Sequence, residues 1–110
     1  MNPVVLHVDD RDDWRGIVLG LEKHGITVFS VDSLGGAMRI YKERKPDLVI
    51  CDGSVSSPND GLDWAKALFK QGQKVILLST YTPPGLGFPA LNKDVINLNG
   101  IHQVVLGILQ

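Results

Sequence analysis

Four groups of residues in this 110-residue chain could do chemistry together, and each stands where an apolar run ends. Val4-Val5-Leu6-His7-Val8 runs into Asp9-Asp10, and Leu48-Val49-Ile50-Cys51 runs into Asp52. Val75-Ile76-Leu77-Leu78 ends in Ser79-Thr80, and Lys93 closes the last short apolar stretch, 88–93. Carboxylates gathered at one place repel and raise each other's pKa unless they share a cation. Oxygen donors of this kind suit Mg²⁺, which keeps some of its waters and takes few protein carboxylates. A hydroxyl and a lysine facing that cation would meet a phosphoryl oxygen. The set therefore reads as a phosphate-handling site with Asp52 at its centre, because a carboxylate closing a buried strand has few structural uses.

The elements that must position these groups alternate along the chain. The run at 48–51 is short and continuously apolar, as a buried strand is, with Pro46 before it and Gly53-Ser54 after it. Residues 4–8 and 74–79 read the same way, and 26–31 alternates like a half-buried edge strand. Asp12 or Asp13 can cap a first helix with Trp14, Ile17, Val18 and Leu21 on one face, ended by His24-Gly25. Ser33 caps a second helix with Ala37, Ile40 and Tyr41 inward, and Lys42 to Pro46 closes it. Gly61 to Lys70 predicts a third, with Leu62, Ala65, Leu68 and Phe69 inward. Asn97 or Asn99 opens a terminal helix carrying Ile101, Val104, Val105 and Ile108.

Between the strands at 74–79 and 88–93, two prolines and two glycines in Tyr81 to Gly87 oppose a helix. The order β-α-β-α-β-α-β-loop-β-α predicts one domain over 1–110, an α/β fold with a parallel sheet covered on both faces. Its ligand edge is the carboxyl ends of the strands, where Asp9, Asp10, Asp52, Ser79 and Lys93 all fall.

Composition excludes several classes. A formal net charge of -1 leaves no basic footprint for nucleic acid or an anionic membrane. One cysteine allows no internal disulfide, and with no leader or long apolar span this predicts a cytoplasmic setting. Cys51 and three scattered histidines have no zinc-ligand spacing, and the histidines read as surface or capping residues. Gly85-Leu86-Gly87-Phe88-Pro89-Ala90 fits a dinucleotide-loop pattern only formally, since it contains a proline and opens no helix.

The order and spacing of these pieces resemble those of response-regulator receiver domains (CheY-like) over nearly the whole chain. The resemblance rests on 4–10, Arg15, Leu21 to Gly25, Pro46 to Asp52, Gly61-Leu62 and Val75 to Thr80. It implies a flavodoxin-like three-layer sandwich whose five strands run in the order 2-1-3-4-5. It also implies a two-component function. Asp52 would accept a phosphoryl group from a histidine kinase or phosphotransfer protein. Asp9, Asp10, Asp52 and the backbone carbonyl of Ser54 would hold Mg²⁺, Ser79 would be the switch hydroxyl, and Lys93 would pair with a phosphoryl oxygen. Such a domain is not an enzyme with a substrate of its own, although it assists its own phosphorylation and dephosphorylation. Its output is docking to a downstream protein.

The chain departs from the family pattern in four places. The loop after Asp52 lacks the usual apolar-plus-proline pattern and is one residue longer than usual. Ser79 to Lys93 is only 14 positions, so the fourth of the family's five helices is missing or replaced by a loop. Asp94 follows Lys93 in place of the usual proline, and Ala90 falls where a switch aromatic often stands. Apolar surface left near the last strands would suit a partner or a homodimer.

Three readings stay open. The acidic trio, Ser79 and Lys93 favour a phosphorylatable receiver. The altered loops favour a pseudo-receiver, a binding module that signals without phosphorylation. A phosphatase or phosphotransferase of another α/β family comes last, since Ser54 stands where it would need an acid two residues after Asp52.

Overall fold

Alternating apolar runs and amphipathic stretches become strands and helices in the expected order. The computed structural model describes residues 2–11 and 15–110. The predicted helix cap at Asp12 or Asp13 and the inward Trp14 lie outside the described residues. Five strands form: β1 (Val4–Val8), β2 (Thr27–Val31), β3 (Leu48–Cys51), β4 (Val75–Ser79) and β5 (Ala90–Asn92). The helices are α1 (Arg15–Glu22), α2 (Leu34–Arg44), α3 (Asp60–Lys70) and α4 (Leu98–Leu109).

All strand pairs are parallel, and the order is β2-β1-β3-β4-β5, the flavodoxin-like arrangement. Side-chain alternation along each strand divides the core into two layers. Val5, Leu48, Ile50, Ile76 and Leu78 pack with Ile17 and Leu21 of α1 and Ile101 and Val105 of α4. On the other face Leu6, Val8, Val49, Cys51 and Val75 pack with Ala37 of α2 and Leu68 of α3. Each fully buried Leu or Ile in these layers contributes about 2 kcal/mol, and most of the chain's stability comes from them.

Local chemistry sets the helix ends. Ser33 Oγ accepts the Gly36 N–H at 3.1 Å, and Asn97 Oδ1 accepts the Gly100 N–H at 2.8 Å. Lys45 takes a left-handed φ of 47° and donates its N–H to the Tyr41 carbonyl, ending α2 before Pro46. On α1, Gly20 lies against α4 so closely that a Cβ there would overlap the His102 ring. One turn away Gly16 faces Leu98 in the same way, so the two helices interlock at a four-residue spacing.

The sequence expectations need three corrections. β5 is shorter than 88–93, beginning only at Ala90 after Pro89. Phe69 is not inward but 41% exposed, because no helix follows α3 on that face. Its ring rests instead on Phe88, centroids 5.1 Å apart, a contact supplied by the loop. His7 is the third: it is no surface residue but lies 3% exposed beneath α1.

Residues 80–89 carry no helix, in agreement with the prolines and glycines there. Trp64 is half-buried and meets Tyr41 edge-on at 6.0 Å, joining α3 to α2. No helix among the described residues is long and apolar enough to cross a membrane.

Candidate functional site

Strand register brings the polar residues together. Val8 pairs with Cys51, so Asp9 and Asp52 leave the sheet side by side. Ser79 pairs with Asn92, which places Lys93 one step beyond Ser79 along the sheet edge. The Lys93 N–H donates to the Ser79 carbonyl at 3.0 Å and fixes that step. Asp9, Asp52 and Ser79 are buried, at 6%, 8% and 6% exposure, while Asp10 is exposed. A cleft of about 260 Å³ is lined by Asp10, Asp52, Ser54, Ser79, Tyr81 and Lys93, with Asp9 beside it.

Charge balance governs the cleft. Lys93 Nζ lies 2.6 Å from Asp9 Oδ2 and 3.3 Å from Asp52 Oδ2, so one ammonium group bridges two buried carboxylates. Asp9 Oδ1 accepts the Arg11 N–H at 3.0 Å, and Asp52 Oδ1 has a longer contact, 3.4 Å, with the Ser54 N–H. Burial pushes the Asp52 carboxyl above its ordinary value; Lys93 opposes this and the Asp9 charge adds to it.

One oxygen each from Asp9, Asp10 and Asp52 lies within 4.8 Å of the others. Ligand oxygens around one Mg²⁺ are at most about 4.2 Å apart, and around Ca²⁺ about 5 Å. The donor set therefore fits a hard divalent cation with little movement. Ser54 stands exposed at the rim of the cleft, and its Oγ accepts the Asn59 N–H at 3.0 Å. Ser79 Oγ accepts the Tyr81 N–H at 3.3 Å, which ties the hydroxyl to the start of the 80–89 loop. Every predicted site residue is therefore in or beside one cleft.

Close packing holds Asp52 at its place. A Cβ on Gly61 would overlap the Asp52 carbonyl oxygen, so only glycine lets α3 start against the end of β3. Cys51 lies beneath this contact, its Sγ 3.2 Å from the same carbonyl oxygen. Burial first, then the Asp52 charge, pushes its thiol up to about 12. It stays a neutral thiol and is chemically inert.

Two residues escaped the sequence reading. Asp60, just before the helix expected from Gly61, accepts N–H groups from Val55, Ser56, Ser57 and Gly61. An aspartate at the first turn of a helix was the available signal. His7, read as a surface or capping residue, is a buried imidazole. Its Nδ1 lies 3.0 Å from Ser30 Oγ, and its Nε2 is buried without a partner. Burial lowers its pKa, with Lys93 adding to this and Asp9 opposing, so the ring is neutral. The Ser30–His7 pair lacks the group that orients the base in a nucleophilic dyad.

No protein-family model matches the chain, and no curated protein is similar to it in sequence. Solved structures match it closely in shape. A response regulator from Thermotoga maritima superposes with a TM-score of 0.81 at 22% identity, covering 99% of this chain and 98% of that one. The chemotaxis response regulator CheY4 of Vibrio cholerae gives 0.81 at 20% identity, over 98% and 99%. A response regulator from Burkholderia pseudomallei, solved with a phosphorylated aspartic acid, a calcium ion and citrate, gives 0.76 at 20%, over 99% and 67%.

Proposed function

We propose that this chain, which has the fold of response-regulator receiver domains, takes a phosphoryl group onto Asp52 in two-component signalling. The observation that carries the reading is the Lys93 ammonium bridging Asp9 and Asp52 in the cleft that also holds Ser79. Phosphoryl transfer asks a protein for positioning and charge neutralisation more than for covalent chemistry.

Asp9, Asp10, Asp52 and the Ser54 carbonyl would hold Mg²⁺. When bound, the ion supplies charge neutralisation for the phosphoryl oxygens. Asp52 Oδ attacks the phosphorus of a phosphohistidine on a kinase or phosphotransfer protein. The new O–P bond forms as the P–N bond breaks, and its electron pair returns to the imidazole. Lys93 turns from the carboxylates to one phosphoryl oxygen, and Ser79 donates its O–H to another. Output is docking of a downstream protein, for which Tyr81 and Val95, 62% and 83% exposed, offer apolar surface.

Intact mass after incubation with Mg²⁺ and acetyl phosphate tests the proposal. One added phosphoryl group, absent without Mg²⁺, is expected. A folded protein that gains none would overturn it. That result favours the second reading, a receiver-like module that signals without phosphorylation, which the helix-free 80–89 segment supports.

The same reading makes a prediction about the loop. When Ser79 Oγ turns to the phosphoryl group it gives up the Tyr81 N–H. Amide exchange at Tyr81 should then rise several-fold in the phosphorylated or beryllofluoride-bound protein. Equal exchange in both states would show that Ser79 does not carry the signal into this loop.

A further inference from the structure

The loop after Asp52 is organised by a side chain that the proposed reaction never uses. Asp60 Oδ1 accepts the N–H groups of Val55 and Gly61, each at 2.7 Å. Its Oδ2 accepts those of Ser56 and Ser57, at 2.9 and 3.0 Å. Both carboxylate oxygens are thus turned to the backbone of its own loop. The Asn59 N–H closes the loop from the other side by donating to Ser54 Oγ. Asn59 does so with a left-handed φ of 62°, and Val55 is anchored in the core. Partial desolvation works against the Asp60 charge, but the four amides outweigh it and hold the carboxyl below the usual range. Only the Gly61 N–H belongs to the start of α3, so the other three bonds do not cap the helix. What the extra bonds fix is the backbone from Ser54 to Ser57, at the rim of the acidic cleft.

We propose that Asp60 is a positioning residue for the divalent cation. It does not touch the ion; it holds the Ser54 backbone where its carbonyl can complete the Asp9, Asp10 and Asp52 donor set. This role rests on the receiver reading. Mg²⁺ tolerates little distortion of its octahedron, so a ligand that must be reordered at binding weakens affinity. Loss of a group that orients a metal ligand costs about 10- to 100-fold in affinity.

Asp60→Asn is the sharp probe. With Oδ1 kept as the oxygen, its amide nitrogen would face the Ser56 and Ser57 N–H groups, donor against donor. Mg²⁺ binding to the whole chain, followed by calorimetry or amide chemical shifts, should weaken about 10-fold in Asp60→Asn. At saturating Mg²⁺, the rate of phosphoryl uptake from acetyl phosphate should return to that of the unaltered chain. A merely structural role would lower stability and leave the Mg²⁺ affinity where it was. A second measurement needs no variant. Linkage is reciprocal, so Mg²⁺ should slow amide exchange at Val55, Ser56 and Ser57 in the unaltered chain.

Asp9→Asn is the reference for the receiver reading itself. If the unaltered chain binds Mg²⁺, Asp9→Asn loses it and Asp60→Asn binds as tightly as before, the role of Asp60 is overturned and the receiver reading stands. Exchange at residues 55–57 indifferent to bound Mg²⁺ would overturn that role as well. If the unaltered chain binds no Mg²⁺, the cation site fails first and the role of Asp60 falls with it.

Discussion

Asp52→Asn is expected to take up no phosphoryl group and, without divalent cation, to be about 1 kcal/mol more stable than the unaltered chain at neutral pH. The loss of uptake arises because the amide offers no nucleophilic oxygen. The gain in stability comes from the cleft's charge. Asp52 is buried beside Asp9, and burial already raises its pKa. The folded protein therefore holds this proton to higher pH than the unfolded chain, whose carboxyl titrates near about 3.9. Below that value both states are protonated and the group costs nothing. As pH rises through the folded value, the folded state must ionise a poorly solvated carboxyl, and stability is lost. The advantage of Asp52→Asn should appear across that window and persist at pH 7. Lys93 keeps its shorter contact, 2.6 Å to Asp9, in the variant. Urea unfolding from pH 3 to 8, with intact mass alongside, checks both halves. A variant no more stable than the unaltered chain at pH 7 would mean that Lys93 fully compensates Asp52.

Lys93→Met should have the largest effect on stability, a loss of about 3 kcal/mol at neutral pH. Its side chain is 7% exposed and bridges carboxylates whose side chains are 1% and 10% exposed. Methionine fills much the same volume but removes the ammonium that bridges the two buried like charges. Two conditions should restore the protein. Acid should narrow the gap, because Asp52, already raised and now without Lys93, protonates more readily. Mg²⁺ should narrow it too, because the ion replaces the missing positive charge between the same oxygens. Thermal unfolding in a grid of pH and Mg²⁺ concentration reads both. A loss that neither condition relieves would mean that Lys93 acts through packing of its stem, not through charge.

Much of this was legible in the sequence because the signals were local. Four-residue apolar runs, Ser33 and Asn97 caps, and the prolines and glycines of 81–87 each fix their own segment. The acidic edge was legible because a parallel sheet sends every strand's carboxyl end to one side. Tertiary facts were not legible. Phe69 has helical spacing for the core, but whether that face is covered depends on the segment after β4. His7 is polar by type and buried by position, since alternation along β1 turns it beneath α1. The four hydrogen bonds to Asp60 come from a loop whose conformation no short pattern encodes.

The 80–89 segment also bears on speed. It is tied to the sheet at both ends, through the Leu77 N–H to the Pro89 carbonyl and the Tyr81 N–H to Ser79 Oγ, while Phe88 rests on Phe69. Such a strap can swing on the nanosecond-to-microsecond scale of loops, whereas displacing a packed helix belongs to microseconds and milliseconds. Under the proposed reading, then, the conformational readout need not wait for a packed helix to move. The duration of the signal is set by how long the acyl phosphate on Asp52 survives, and its onset by the encounter with the phosphodonor.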